Sequence, residues 1–174
     1  FQLILMAFVF AAGVGVALAL LLEFTDHQLR SVQDVKYVTA LPVLAAIPDT
    51  TVDKEIPDNA NPALVTADYP ESTSSDEFRR VITRIIYPPE GSAELNTVLV
   101  AAPSRGDGKT SVACNLAIAL AQANRRVLLL DISARRPSVE SNFRLERGPG
   151  LAEIFAGEGS ADELVRQTQY PNLS

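Results

Sequence analysis

The chain has 174 residues, 47% of them apolar, which allows one domain and something more. Its net charge of −6 argues against nucleic acid as the main partner. A single cysteine, Cys114, and a single histidine, His27, exclude a disulfide framework and a Cys-rich zinc site, and leave little for a His-based metal site or a Ser-His-Asp triad.

From Leu3 to Leu22 no residue is charged (LILMAFVFAAGVGVALALLL). As a helix, this run covers about 30 Å, the thickness of a bilayer's hydrocarbon core. Residues 1–22 are therefore expected to form a transmembrane helix in the lipid bilayer. A buried core helix of this length would carry polar positions, and a signal peptide would open on basic residues, whereas this chain opens Phe-Gln. The first residue is not Met, so the expectation is of a piece with further chain upstream. Arg30 and Lys36 follow the run, but only two residues precede it, so loop charge leaves the orientation open.

Residues 23–75 read as a juxtamembrane segment and linker. Glu23 to Lys36 can continue the helix out of the bilayer, with His27 solvated. Val38 to Pro48 (VTALPVLAAIP) reads as a short extended segment that packs on something. Asp49 to Ser75, with Pro57, Pro62 and Pro70 among Asp, Thr and Ser, reads as a tether with too little to bury.

Residues 76–174 are assigned to the N-terminal part of a P-loop domain. Asp76 to Tyr87 predicts an amphipathic helix, with Phe78, Val81, Ile82, Ile85 and Ile86 on one face and Ser74 or Ser75 as the cap. Arg79, Arg80 and Arg84 read as a solvated basic face.

Next, Thr97 to Ala102 forms a short β-rich run. The loop Pro103-Ser-Arg-Gly-Asp-Gly-Lys-Thr110 and an apolar helix follow. Strand, glycine loop and helix in that order are the setting of a Walker A motif. Gly106 and Gly108 let consecutive N–H groups turn toward phosphate oxygens, and the helix start favours an anion. Lys109 can reach the β- and γ-phosphates, and the Thr110 hydroxyl can ligand Mg²⁺. The candidate nucleotide contacts are Ser104, Arg105, Gly106, Asp107, Gly108, Lys109, Thr110 and Ser111. The general pattern has glycine where this loop has Pro103. Cys114, within the helix, reads as a small packed core residue.

Val127 to Asp131 is a continuous apolar run ending in a carboxylate, as suits a parallel sheet covered on both faces. The ligand crevice of such a sheet lies at the strands' carboxyl ends, where Asp131 would face Mg²⁺ or a hydroxyl awaiting deprotonation. A ribose contact is the competing reading of Asp131, but that fold calls for Gly-x-Gly-x-x-Gly, and the loop here favours a nucleoside triphosphate.

In family order, the apolar run with LPVLAAIP, the helix DEFRRVITRI, the loop APSRGDGKTSVACNLAIALA, the strand VLLLDISARRP and GLAEIFAGE before PNLS resemble the bacterial tyrosine kinases. These are kinases of capsule and exopolysaccharide chain-length systems, fused in Gram-negative bacteria to a polysaccharide co-polymerase. The resemblance implies ATP-dependent tyrosine phosphorylation within a homo-oligomeric ring and control of the polysaccharide polymerisation and export machinery. It also implies an inner-membrane protein whose nucleotide domain lies in the cytoplasm. By position, Lys109 and Thr110 hold phosphates and Mg²⁺, Asp131 is the first aspartate of the Asp-x-Asp-x-Arg motif, and Arg135 is its arginine. Lys109 and Asp131 are thereby the candidate catalytic residues, with ATP and Mg²⁺ as cofactors.

Two positions depart from the family pattern. Its second aspartate is Ser133 here, which puts catalysis rather than ATP binding in doubt. Its oligomerisation pattern aligns as Asp76, Arg79 and Ile82, where the last arginine is lost. In the ParA/MinD ATPases a second lysine stands at the position of Ser104, which argues against that group. The alternatives carried forward are a non-catalytic ATP-binding regulator and a ParA/MinD-like ATPase.

The expected fold class is α/β, a P-loop parallel sheet incomplete at the C-terminus and preceded by a transmembrane helix. A Walker B strand and a tyrosine cluster would lie beyond Ser174, since Tyr37, Tyr69, Tyr87 and Tyr170 are scattered.

Overall fold

The computed structural model describes residues 2–25, 32–39, 41–88, 91, 95–133, 135–146 and 148–174, without the side chains at 9, 19, 22–25, 32, 34, 37 and 38. The chain divides into two units, Phe1–Val43 and Leu44–Ser174.

In the first unit, α1 (Gln2–Thr25) is a 24-residue helix and α2 (Val32–Thr39) a short one. Leu3, Ile4, Met6, Phe8, Phe10 and Leu21 of α1 are all exposed. Over the described residues alone, no helix is long and apolar enough to cross a membrane. The side chains at positions 9, 19 and 22 of the apolar run are not among those described, and the bilayer role of α1 is taken up below as a proposal. His27 and Arg30 also lie outside the described residues.

In the second unit, α3 (Val65–Asp68) and α4 (Thr73–Ile86) pack with α5 (Lys109–Gln122). Three short helices follow: α6 (Val139–Asn142), α7 (Leu151–Ala156) and α8 (Ala161–Leu164). Because α5 is apolar on more than one face, it serves two cores. Cys114, Ala117, Ile118 and Ala121, at helical spacing, meet Ala63, Leu64, Phe143 and Leu173. Leu116 and Ala119 meet Phe78, Val81 and Ile82 of α4, where Ala45 and Ile47 also pack. Of the stretch LPVLAAIP, Ala45 and Ile47 thus pack as expected, while Leu41 and Leu44 are exposed. Full burial of Ile118 contributes on the order of 1.5–3 kcal/mol.

Asp49 to Ser75 is not a tether. Asp53, Ile56, Ala63, Leu64, Val65, Thr66, Ser72, Ser74 and Ser75 are all buried. Composition misleads here because buried polar groups such as Asp53 and Ser74 find partners within the segment, although the Thr66 hydroxyl has none. Asp53 Oδ2 accepts from both the N–H and the hydroxyl of Ser74, each at 2.9 Å. Ser72 caps α4 by accepting the Ser75 N–H at 3.2 Å, so the helix starts before Asp76 and its cap is neither Ser74 nor Ser75.

The parallel sheet is reduced among the described residues to a single bridge. Val127 pairs in parallel with Leu173. The Val127 N–H donates to Asn172 O at 2.8 Å, the Ser174 N–H to Val127 O at 3.0 Å, and the Leu129 N–H to Ser174 O at 2.9 Å. Thr97 to Ala102, expected as a strand, has no backbone hydrogen bond to a neighbour among the described residues. The expected two-sided cover is absent as well: Val127 and Leu129 pack on the core while Leu128, Leu130 and Ile132 are exposed.

Candidate nucleotide site

The loop from Pro103 to Thr110 folds on its own polar groups. The Ser104 N–H donates to Asp107 Oδ2 at 2.8 Å, and the Lys109 ammonium donates to the Ser104 carbonyl at 2.6 Å. Gly106 (φ +93°) and Gly108 (φ +74°) both lie in the left-handed region, where a side chain is strained. Gly108 is the N-cap of α5 and makes no side-chain cap bond, so the loop delivers the chain straight into the helix. Ser104, Arg105, Gly106 and Asp107 are exposed; Gly108, Lys109, Thr110 and Ser111 are half-buried. The Ser111 carbonyl accepts from Asn115 Nδ2 at 2.8 Å, which ties the helix start to its interior.

Asp131 stands at the end of the run from Val127. Its Oδ1 accepts the Ser133 N–H at 2.9 Å, and its Oδ2 accepts the N–H groups of Ser138 at 2.9 Å and Val139 at 3.2 Å. Burial works to raise its pKa, but the N–H groups of Ser138, Ser133 and Val139 together outweigh it and hold the carboxyl below the usual range.

Ser138 closes the gap between the two halves. Its Oγ stands 3.4 Å from Thr110 Oγ1, a long contact between hydroxyls. Thr110 and Asp131 are thus both in contact with Ser138. Arg135 is exposed beyond Asp131, and no hydrogen bond among the described residues draws it to the loop. Ser138 was not singled out in the motifs. The signal available for it was a serine directly before a short polar helix.

The donor set fits a hard cation. One hydroxyl and one ionised carboxylate are oxygen ligands of the kind Mg²⁺ takes alongside phosphate oxygens. Each oxygen of an ionised carboxylate has two lone-pair sites, so Asp131 Oδ1 can accept the Ser133 N–H and still face a cation. Among the described residues, no cluster of three or more His, Cys, Asp or Glu side chains offers an independent metal site.

At the α4 positions aligned with the oligomerisation pattern, Asp76 pairs with Arg79 at 2.6 Å, and Arg79 also donates to the Pro70 carbonyl. Ile82 is buried between α4 and α5, so this position offers no surface to a neighbouring subunit.

A glycine loop entering α5 at Lys109 and a carboxylate at the end of a parallel-paired run define a P-loop nucleotide-binding domain. Residues 98–148 match the family model of the CobQ/CobB/MinD/ParA nucleotide binding domain. Over 177 residues the chain is 27% identical to the tyrosine-protein kinase ptk of Acinetobacter johnsonii, an alignment covering 99% of this chain and 24% of ptk. It is 25% identical over 184 residues to the succinoglycan biosynthesis transport protein ExoP of Rhizobium meliloti, covering 92% of this chain and 23% of ExoP. Among solved structures, the chimerical protein CapA2B2 superposes with a TM-score of 0.62 at 25% identity, over 82% of this chain and 57% of that one. These relatives carry the names of bacterial tyrosine-protein kinases and of a polysaccharide transport protein, and the chain is similar to that family. It spans about a quarter of the length of these two curated relatives.

Proposed function

We infer that the chain is the nucleotide-binding portion of a membrane-anchored protein-tyrosine kinase that regulates capsular or exopolysaccharide biosynthesis. The observation that carries this reading is the convergence of Thr110, Ser138 and Asp131 beside the Lys109 loop. Phosphoryl transfer to a tyrosine hydroxyl requires neutralisation of charge on the phosphates and a departure route for the phenolic proton. Lys109 supplies the first by reaching the β- and γ-phosphates of ATP. Thr110 and Asp131 would hold Mg²⁺, which offsets charge on the same phosphates. The lowered pKa of Asp131 favours cation holding over proton abstraction, because a weakly basic carboxylate is a poor match for a phenol.

The uncharged run of α1 supports an anchor in the bacterial inner membrane, with the nucleotide domain on the cytoplasmic side. A homo-oligomer and the polysaccharide export machinery are the partners this reading names. Any ring contact made by α4 would use Asp76 and Arg79 without position 82.

A second reading has its own observation. Ser133 puts an exposed neutral hydroxyl where the family pattern has a carboxylate, which favours a non-catalytic, ATP-binding regulator. Incubating membranes that carry the gene product with Mg²⁺ and radiolabelled ATP separates the two. A kinase yields labelled phosphotyrosine that Lys109→Met abolishes. Nucleotide binding without phosphotyrosine in the parent would sink the kinase reading in favour of the regulator.

A further inference from the structure

Ser138 occupies the N-cap position of α6, where a serine hydroxyl ordinarily accepts an N–H from the first turn. Here its side chain makes no cap bond. Asp131 Oδ2 approaches the same turn, accepting the N–H groups of Ser138 itself and of Val139. The freed hydroxyl donates to Thr110 Oγ1 instead, at 3.4 Å. Its backbone is held in place, since the Ser138 carbonyl accepts the Asn142 N–H at 3.1 Å and the Ser141 hydroxyl at 2.8 Å.

A threonine hydroxyl that offers a lone pair to a cation must direct its proton elsewhere. Rotation of the Thr110 and Ser138 hydroxyls about their C–O bonds lets either one donate, with no heavy atom moved. When Thr110 donates to Ser138, its lone pairs are left for the cation. We propose that Ser138 is a positioning residue for the divalent cation of the nucleotide complex. Its side chain receives the Thr110 proton while its backbone N–H fixes Asp131, so one residue sets both protein ligands. This role rests on the nucleotide reading above.

The test uses the full chain in detergent, with a fluorescent ATP analogue (mant-ATP) titrated in EDTA and at graded MgCl₂. Ser138→Ala keeps the backbone N–H, so Asp131 stays capped, and a circular-dichroism melt checks the fold. Loss of one hydrogen bond predicts a rise of about 5–10-fold in the Mg²⁺ concentration for half-saturation, with binding in EDTA held within about twofold. Ser138→Thr restores the parent value. In a Thr110→Val background, Ser138→Ala has no further effect, because the partner hydroxyl is already gone.

An unchanged Mg²⁺ requirement in Ser138→Ala, or an equal shift with and without Thr110, overturns the role. If the parent binds mant-ATP equally with Mg²⁺ and EDTA, the metal–nucleotide reading falls together with it. If the parent depends on Mg²⁺ and Ser138→Ala matches it, only the role of Ser138 falls.

Discussion

The N–H of Thr66 donates to Asn115 Oδ1 at 2.8 Å, joining a polar, proline-rich stretch to the helix that carries Lys109. The same amide donates through Nδ2 to Pro62 O and Ser111 O, each at 2.8 Å. Asn115 is fully buried. One side chain therefore binds the segment before α4 to the start of α5. Replacing it by alanine strands the Thr66 N–H and the Pro62 carbonyl away from water. Asn115→Ala should cost about 2–4 kcal/mol in urea unfolding, and a loss below about 1 kcal/mol would show the link to be dispensable.

Asp131 makes stability depend on pH. Its folded-state pKa is lowered, burial opposing and the N–H groups of Ser138, Ser133 and Val139 prevailing. The unfolded chain titrates near the ordinary value of about 3.9, so the contribution is present above that pH and is lost as pH falls through the lower folded-state value. Urea midpoints measured from pH 6 down to pH 3 should fall more steeply for the parent than for Asp131→Asn. Parallel profiles would mean that the three N–H contacts do not stabilise the ionised form.

Cys114 should be inert in the native protein. Burial, and after it the charge of Asp131, together push its thiol up to about 12, so the reactive thiolate is scarce at neutral pH. It also has no exposed surface. Iodoacetamide at pH 8 is expected to label the chain only in denaturant. Labelling of the folded protein at the rate of a free thiol would contradict the packing of α5.

Gly108 and Gly150 make a matched pair. A Cβ at either would meet nothing within 4 Å, but Gly108 has φ +74° and Gly150 φ −153°. Backbone strain alone should separate them. Gly108→Ala is expected to cost about 1–2 kcal/mol and to weaken mant-ATP binding, while Gly150→Ala stays within about 0.5 kcal/mol. Equal thermal shifts for the two would contradict a left-handed loop at Gly108.

The parts legible in the sequence are those encoded by neighbours. The glycine loop, the apolar faces of α4 and α5 and the carboxylate ending the 127–131 run all depend on spacings of a few residues. Asp49 to Ser75 was misread because composition does not reveal where polar groups find partners. Ser72, Ser74 and Ser75 can be buried since Asp53, Tyr69 and the helix start take their hydrogen bonds. Ser138 was illegible for a related reason. Its hydroxyl meets Thr110 across 28 positions, and only the turn after Asp131 brings them together. The sheet was over-read, because an apolar run specifies a strand's faces and not the neighbour that completes its ladder.

The parallel pairing of Val127 with Leu173 sets an order of events during synthesis. The residues of the core between α4 and α5 all precede Val127, so that core can assemble on chain already made, while Phe143 and Leu173 of the other core are still to come. Val127 must wait for about 46 further residues, which at roughly 5–20 residues per second takes about 2–9 s. Throughout that interval the newborn chain presents an unpaired apolar segment, joined to a helical layer that still lacks Leu173, to whatever stands near the ribosome's exit.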